Sequence, residues 1–143
     1  MDTIGALLGR IGHLHFLCVH SVFSSYGLGK GQPRILHILS EKGEMLQKEI
    51  AQTDRMSPAT ITVMLQTMEK NGLIERTHDE RDRRGVRVKL TQKGRDIEKA
   101  VKDTIDKIDS EIIECFTKDE YNTFCCLSTK LAKHLEKEIE RRS

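Results

Sequence analysis

SPATITVMLQTMEKNGLIERTHDERDRRGVRVKLTQKG, residues 57–94, decides how the rest of the chain is read. Ser57-Pro58 is a helix start: a serine oxygen able to accept from orphan amides, then a proline at the first helical position. Ile61, Met64, Leu65 and Met68 recur at helical spacing and predict the buried face, and Asn71-Gly72 breaks the run. A strand is expected over 73–77, then a charged turn at Arg81, Asp82, Arg83, Arg84 and Gly85, then a returning strand over 86–90. Thr91 opens a further helix. Helix, strand, basic loop, strand is the order of a winged helix-turn-helix, and it points to sequence-specific DNA binding.

The outer face of the first of these helices carries Ala59, Thr60, Thr62, Val63, Gln66 and Thr67, with no acid before Glu69. A helix face meant only for water carries Glu and Lys, as residues 98–111 do. Small polar and methyl-bearing side chains suit close approach to base edges, where Thr and Gln hydrogen-bond and methyls meet thymine. Residues 76–89 hold six basic side chains (Arg76, Arg81, Arg83, Arg84, Arg87, Lys89) against three acids. Such local positive charge attracts phosphate even though the net charge is only +2.

Upstream, residues 4–22 read as a helix with a stripe of Ile4, Leu8, Ile11, His15, Cys18 and Val22. Glycines 27, 29 and 31 loosen the chain before Gln32-Pro33 starts a helix that buries Ile35, Leu36 and Leu39 and stops near Gly43. Met45-Leu46 reads as a short edge strand, 48–52 as a brief helix with Ile50 and Ala51 inward, and 53–56 as the turn. Downstream, Ile97, Val101, Ile105, Ile108 and Ile112 make one apolar stripe, and a last helix opens on a Thr117–Glu120 capping box. It carries Tyr121, Phe124, Leu127, Leu131, Leu135 and Ile139. These two helices exceed what a winged helix needs for its own core, and a second copy of the chain is the economical cover. The expected fold class is therefore mainly α with a small β-hairpin wing (α+β). Its parts are an N-terminal dimerisation helix and linker over 1–30, a winged helix-turn-helix over 31–94, and C-terminal dimerisation helices over 95–143.

Composition narrows the alternatives. With 143 residues the chain can bury a core without staples, and with no Trp and 4% aromatics it lacks stacking platforms for single strands. Charge divides along the chain: 12 Lys/Arg against 9 Asp/Glu over 31–94, but 10 against 12 over 95–143. Cys18, Cys115, Cys125 and Cys126 form no CxxC pair, which argues against a zinc knuckle or a secreted disulfide framework. No nucleophile elbow, phosphate loop or metal motif occurs, so neither an enzyme nor a cofactor or metal is expected. The N-terminus lacks the pattern of a signal peptide and no stretch reads as the ~20 apolar residues that span a bilayer, so a cytoplasmic protein without a membrane partner is expected.

One stretch carries a resemblance to a known family. Leu73-Ile74-Glu75-Arg76, Asp79, Asp82-Arg83-Arg84, Val88, Leu90-Thr91 and Gly94 resemble the wing signature of the MarR (multiple antibiotic resistance regulator) family, a D..DRR turn followed by a strand ending in LT..G. The likeness extends over roughly residues 30 to 140. It implies a homodimer on a pseudo-palindromic operator of double-stranded DNA, often a repressor released by phenolic or lipophilic small molecules, oxidants or metals. Arg84 stands where the family's wing-tip arginine enters the minor groove, and Asp82 is expected to orient Arg84 or Arg83. Arg76, Arg81 and Arg83 are expected on phosphates. Ser57, Ala59, Thr60, Thr62, Val63 and Gln66 form the groove-facing set. The chain departs from many members at Val63, where an arginine is common, which removes a guanine-reading contact.

The resemblance also places an effector crevice between the winged region and the dimerisation helices, with Phe16, His20, Arg34, His37 and Ile38 as expected liners. The alternative is redox or metal response through Cys18 and His15, which share a helix face. Against it, the reactive cysteine of the family's peroxide sensors falls at His15, and a Cys on an apolar stripe packs as a small hydrophobe. Cys125 and Cys126 point about 100° apart on a helix and do not favour a mutual disulfide. A winged-helix adaptor without DNA binding is the remaining reading.

Overall fold

The computed structural model describes residues 3–143. The chain divides into two compact units, one ending at Ile105 and the other spanning Asp106–Ser143. In the first unit α1 (Ile4–Ser25) is capped by Thr3, whose hydroxyl oxygen accepts from the Ala6 amide at 3.2 Å. Then follow α2 (Gln32–Lys42), β1 (Met45–Leu46), α3 (Gln47–Thr53), α4 (Pro58–Lys70), β2 (Ile74–His78) and β3 (Val86–Leu90). α5 (Gln92–Ile112) begins in the first unit and ends in the second, which also holds α6 (Lys118–Arg142). The fold is mainly helical with a small three-stranded wing, as expected.

The core of the first unit is made where α2, α3 and α4 close on the sheet. Ile35, Leu36, Ile50, Ile61, Leu65, Met68, Ile74 and Val88 are almost completely buried. Each such side chain contributes roughly 1.5–3 kcal/mol by leaving water. Met64 is only half-buried, so the inner face of α4 is narrower than its spacing suggests. The sheet order is β1-β3-β2, all antiparallel, with Met45 opposite Val88 and Ile74 opposite Leu90. Placing β3 in the centre lets Val88 bury one face of the hairpin while residues 79–85 stand clear of the core.

α4 ends in a Schellman arrangement: the Gly72 amide donates to Glu69 at 2.9 Å and the Leu73 amide to Met68 at 2.9 Å. Gly72 has φ of +73°, which glycine adopts without strain. Because Leu73 closes the helix, β2 starts one residue later than its sequence suggests. The Leu73 carbonyl then accepts from the Thr91 amide at 3.1 Å, tying the start of α5 to the end of α4.

Two findings concern α1, the second of them a correction. Of the stripe Ile4, Leu8, Ile11, His15, Cys18 and Val22, only Val22 is buried, with Val19 beside it. The side facing the core is set by α1's packing over its last turns, which the periodicity of the whole helix does not reveal. Secondly, α1 is by length and composition apolar enough to cross a membrane. Arg10 is its one Lys, Arg, Asp or Glu, and the interrupting glycines and histidines hide how apolar the whole helix is. Ile4, Leu7, Leu8, Ile11, Leu14, Phe16 and Leu17 all remain exposed.

In the second unit a 3-10 turn (Ile113–Cys115) leads to α6. The expected capping box forms: the Thr117 amide donates to Glu120 at 2.8 Å and the Glu120 amide to Thr117 at 3.3 Å. Those bonds hold the Glu120 carboxyl below the usual range. Phe116 stacks on Phe124 with ring centres 5.4 Å apart. Phe124, Leu127, Leu135 and Ile139 are exposed.

Candidate nucleic-acid interface

The helix-turn-helix begins at α3 and presents α4 by its N-terminus. Ser57 Oγ accepts from the Thr60 amide at 3.2 Å and donates to Thr60 Oγ1 at 2.8 Å, so the cap is held by two side chains. Ser57, Ala59, Thr60, Val63 and Gln66 are exposed and Thr62 is half-buried, which brings the whole expected set onto one surface. Val63, at 63% exposure, is the apolar centre of that surface.

Hydrogen bonding within α4 limits what this face offers a duplex. Thr62 Oγ1 donates to the Pro58 carbonyl at 2.8 Å and accepts from Gln47 Nε2 at 2.8 Å. Thr67 Oγ1 donates to the Val63 carbonyl at 3.2 Å. Their hydroxyl protons are spent on the helix itself, leaving oxygen lone pairs and methyls outward. Gln66 is the amide donor on the face. Such a surface reads methyls and amino groups better than guanine acceptors.

The six basic residues of 76–89 separate into two groups. Arg76 Nε and Nη2 donate to Glu69 Oε1 at 3.2 and 3.0 Å, and its own amide donates to Glu69 Oε2 at 3.0 Å. This charge-assisted clasp depresses the Glu69 carboxyl pKa, Arg76's side-chain hydrogen bond being the leading cause. Arg76 is thus engaged in joining α4 to β2, unlike the arginines of the wing tip. Arg87 of β3 pairs at 2.9 Å with Glu44, just before β1, which raises its own pKa, and Lys89 pairs with Glu75 at 3.3 Å across the hairpin.

Arg81, Arg83 and Arg84 form the second group. All three are exposed, and none of their guanidiniums has an ion pair among the described residues. The turn that carries them is organised by acids acting on backbone. Asp82 Oδ1 accepts from the Arg84 amide at 3.0 Å, and the Asp79 amide donates to the Gly85 carbonyl at 2.9 Å. Asp82 therefore orients Arg84 through its main chain rather than through its guanidinium. A side chain at Gly85 would bring Cβ within 3.0 Å of Asp79 and 3.2 Å of the Asp82 carbonyl.

A cleft of about 560 Å³ lies between this turn and the helix-turn-helix, lined by Leu46, Gln47, Lys48, Ala51, Gln52, Arg55, Met56, Pro58, Ile61, Asp82, Arg84, Gly85 and Val86. Arg55, absent from the sequence-based set, is exposed at its edge. No composition signal singles it out, since its position depends on the turn's backbone.

The residues expected at an effector crevice fall in two places. Phe16, His20 and Arg34 line a space of about 480 Å³ with Phe23, Leu28, Gly29, Lys30, Gly31 and Pro33. The Phe16 and His20 rings lie 5.0 Å apart, and Arg34 pairs with Asp54. His37 and Ile38 lie outside this space. His37 Nδ1 stands 3.5 Å from Glu98 Oε1, and Ile38 is buried in the core, because the helical turn carries both away from the crevice. All four cysteines, Cys18 included, are free and exposed. Among the described residues no group of three or more His, Cys, Asp or Glu is placed to hold a metal.

Known proteins resemble the chain in sequence and in fold. The model of the MarR family matches residues 29–86. The HTH-type transcriptional regulator YwhA of Bacillus subtilis is 30% identical over 99 residues, 69% of this chain and 71% of the relative. The repressor MdtR of the same organism is 34% identical over 68 residues, 48% of this chain and 44% of the relative. Among solved structures, a MarR family protein from Bacillus stearothermophilus is 25% identical with a TM-score of 0.80, covering 91% of each chain. Its relatives are regulators rather than enzymes, and the chain belongs to the MarR family of DNA-binding transcriptional regulators.

Proposed function

We propose that this regulator binds a pseudo-palindromic operator as a homodimer and represses transcription until a small phenolic or lipophilic ligand releases it. The observation that carries the DNA half is the pairing of an exposed, acid-free α4 face with a wing tip whose three arginines have no ion pair among the described residues. In this reading residues 31–94 contact DNA and residues 1–30 and 95–143 dimerise. α4 enters the major groove with Ala59, Thr60, Thr62, Val63 and Gln66 in reach of bases, and Ser57 holds its first turn. Arg81 and Arg83 lie along phosphates and Arg84 enters the minor groove, where A·T-rich sequence deepens the negative potential.

Dimerisation is supported by the apolar surface that each unit leaves in water. Leu14 and Leu17 of α1, and Leu127 and Ile139 of α6, are each at least half exposed. Repression is supported by the likeness to MdtR, itself a repressor. Ligand release is supported by the crevice holding Phe16, His20 and Arg34, an aromatic wall beside a cation. Selection of bound duplexes from a random pool tests the reading, repeated with oxidant, zinc and a panel of phenolic acids. Twofold-symmetric sequences with half-sites about 10 bp apart, or a multiple of it, are expected. Recovery of unrelated sequences with no symmetry sinks the dimeric operator, and insensitivity to the phenolic panel sinks the ligand.

A further inference from the structure

We propose that Arg55 is a phosphate-binding residue, placed at the cleft edge across from Arg84 so that one DNA strand is held from both walls. The inference rests on the assignment of α4 and the wing to DNA. Arg55 is the one described non-glycine residue with positive φ, at +50°. It stands where α3 ends: Asp54 caps the helix, and the Met56 amide returns to the Ala51 carbonyl at 2.9 Å while the Arg55 amide reaches Gln52 at 3.4 Å. Glycine is the residue that takes this left-handed position without cost, and any side chain there is strained. A strained residue at the edge of a binding surface points to a role for its side chain.

The surroundings say what that role is. The Arg55 side chain is exposed and makes no hydrogen bond or ion pair among the described residues, whereas its neighbour Asp54 is already taken by Arg34. The cleft it borders carries Lys48, Arg55 and Arg84 against one acid, Asp82, and Asp82 already accepts from the Arg84 amide. Between these cations the floor is apolar, with Ala51, Met56 and Ile61. A cationic rim over an apolar floor has no internal use for its charge and matches the passage of a phosphodiester backbone. Arg55 precedes the Ser57 cap of α4 and is not part of that helix's outward face, which favours the backbone over a base edge as its target.

The test compares Arg55→Gly, Arg55→Gln and Arg55→Lys with the unchanged chain by fluorescence anisotropy. The probes are a selected duplex and a scrambled duplex, each over a series of salt concentrations, with thermal melting in parallel. Arg55→Gly and Arg55→Gln are expected to weaken both duplexes by the same factor, roughly tenfold. The slope of log affinity against log salt should fall by about 0.9 for one lost phosphate contact. Arg55→Lys should retain most of the binding. Arg55→Gly should melt at or above the temperature of the unchanged chain, because glycine relieves the backbone. Unaltered affinity in the Gly and Gln variants overturns the proposal, as does a loss confined to the selected duplex or seen only with Gly. If the unchanged chain binds neither duplex, the DNA assignment itself fails and the proposal with it, a result separate from a failure of Arg55 alone.

Discussion

A methyl group at Gly94 would lie 2.1 Å from the Leu73 carbonyl oxygen, which is already bonded to the Thr91 amide. The obstacle is backbone, so it cannot rotate away. Gly94→Ala is expected to destabilise the fold by about 1–3 kcal/mol, read as a lower melting temperature. An unshifted melting curve would show that α5 can move off the end of α4. At the same scale, Arg76 and Arg84 should separate stability from binding. Arg84→Ala is expected to cost about 1–3 kcal/mol of DNA affinity with melting unchanged. Arg76→Ala should lower the melting temperature by freeing Glu69 from its clasp. If Arg76→Ala melts normally and binds DNA as poorly as Arg84→Ala, Arg76 is a phosphate contact after all.

Between elements, the Glu69–Arg76 clasp is what joins the reading helix to the first strand of the wing. Its pH dependence has a definite sign. Arg76 holds the Glu69 carboxyl below its ordinary value, so the clasp's contribution is complete above about pH 4.3 and is lost as pH falls through the lower folded value. The melting temperature of Glu69→Gln should therefore trail that of the unchanged chain at neutral pH and converge with it in acid. A gap that persists in acid strong enough to protonate Glu69 in the folded chain would mean the clasp acts through shape rather than charge. The same element logic explains the reading face: by donating to the Pro58 and Val63 carbonyls, Thr62 and Thr67 give up their protons as base-reading donors.

For the whole molecule, the exposed apolar residues of α1 and α6 make the oligomeric state a measurable property. Leu127 is 59% exposed, and an acid there would face any partner seated on α6. Leu127→Glu is expected to shift sedimentation toward the monomer and to weaken operator binding far more than Arg84→Ala, since two half-sites are then bound independently. A variant that remains dimeric would move the interface away from α6. Salt should weaken the complex steeply through counterion release at the wing.

Local chemistry was legible from residues 57–94 alone. The Ser57-Pro58 start, the Asn71-Gly72 stop and the bounds of β3 depend on neighbours a few positions away, so sequence pattern determines them. The class of surface presented by α4 follows from the same local choice of residues. Which arginines are free does not. Arg87 finds Glu44 from 43 residues away, and Arg76 reaches Glu69 only once β2 folds back along α4. His37 and Ile38 could be placed on a helix but not assigned to crevice or core, because that depends on what packs against each side of α2. The buried side of α1 and the backbone of Arg55 are of the same kind. Periodicity and composition fixed the elements through short-range forces, while the tertiary structure alone decided which charges are spent inside the molecule and which remain for DNA.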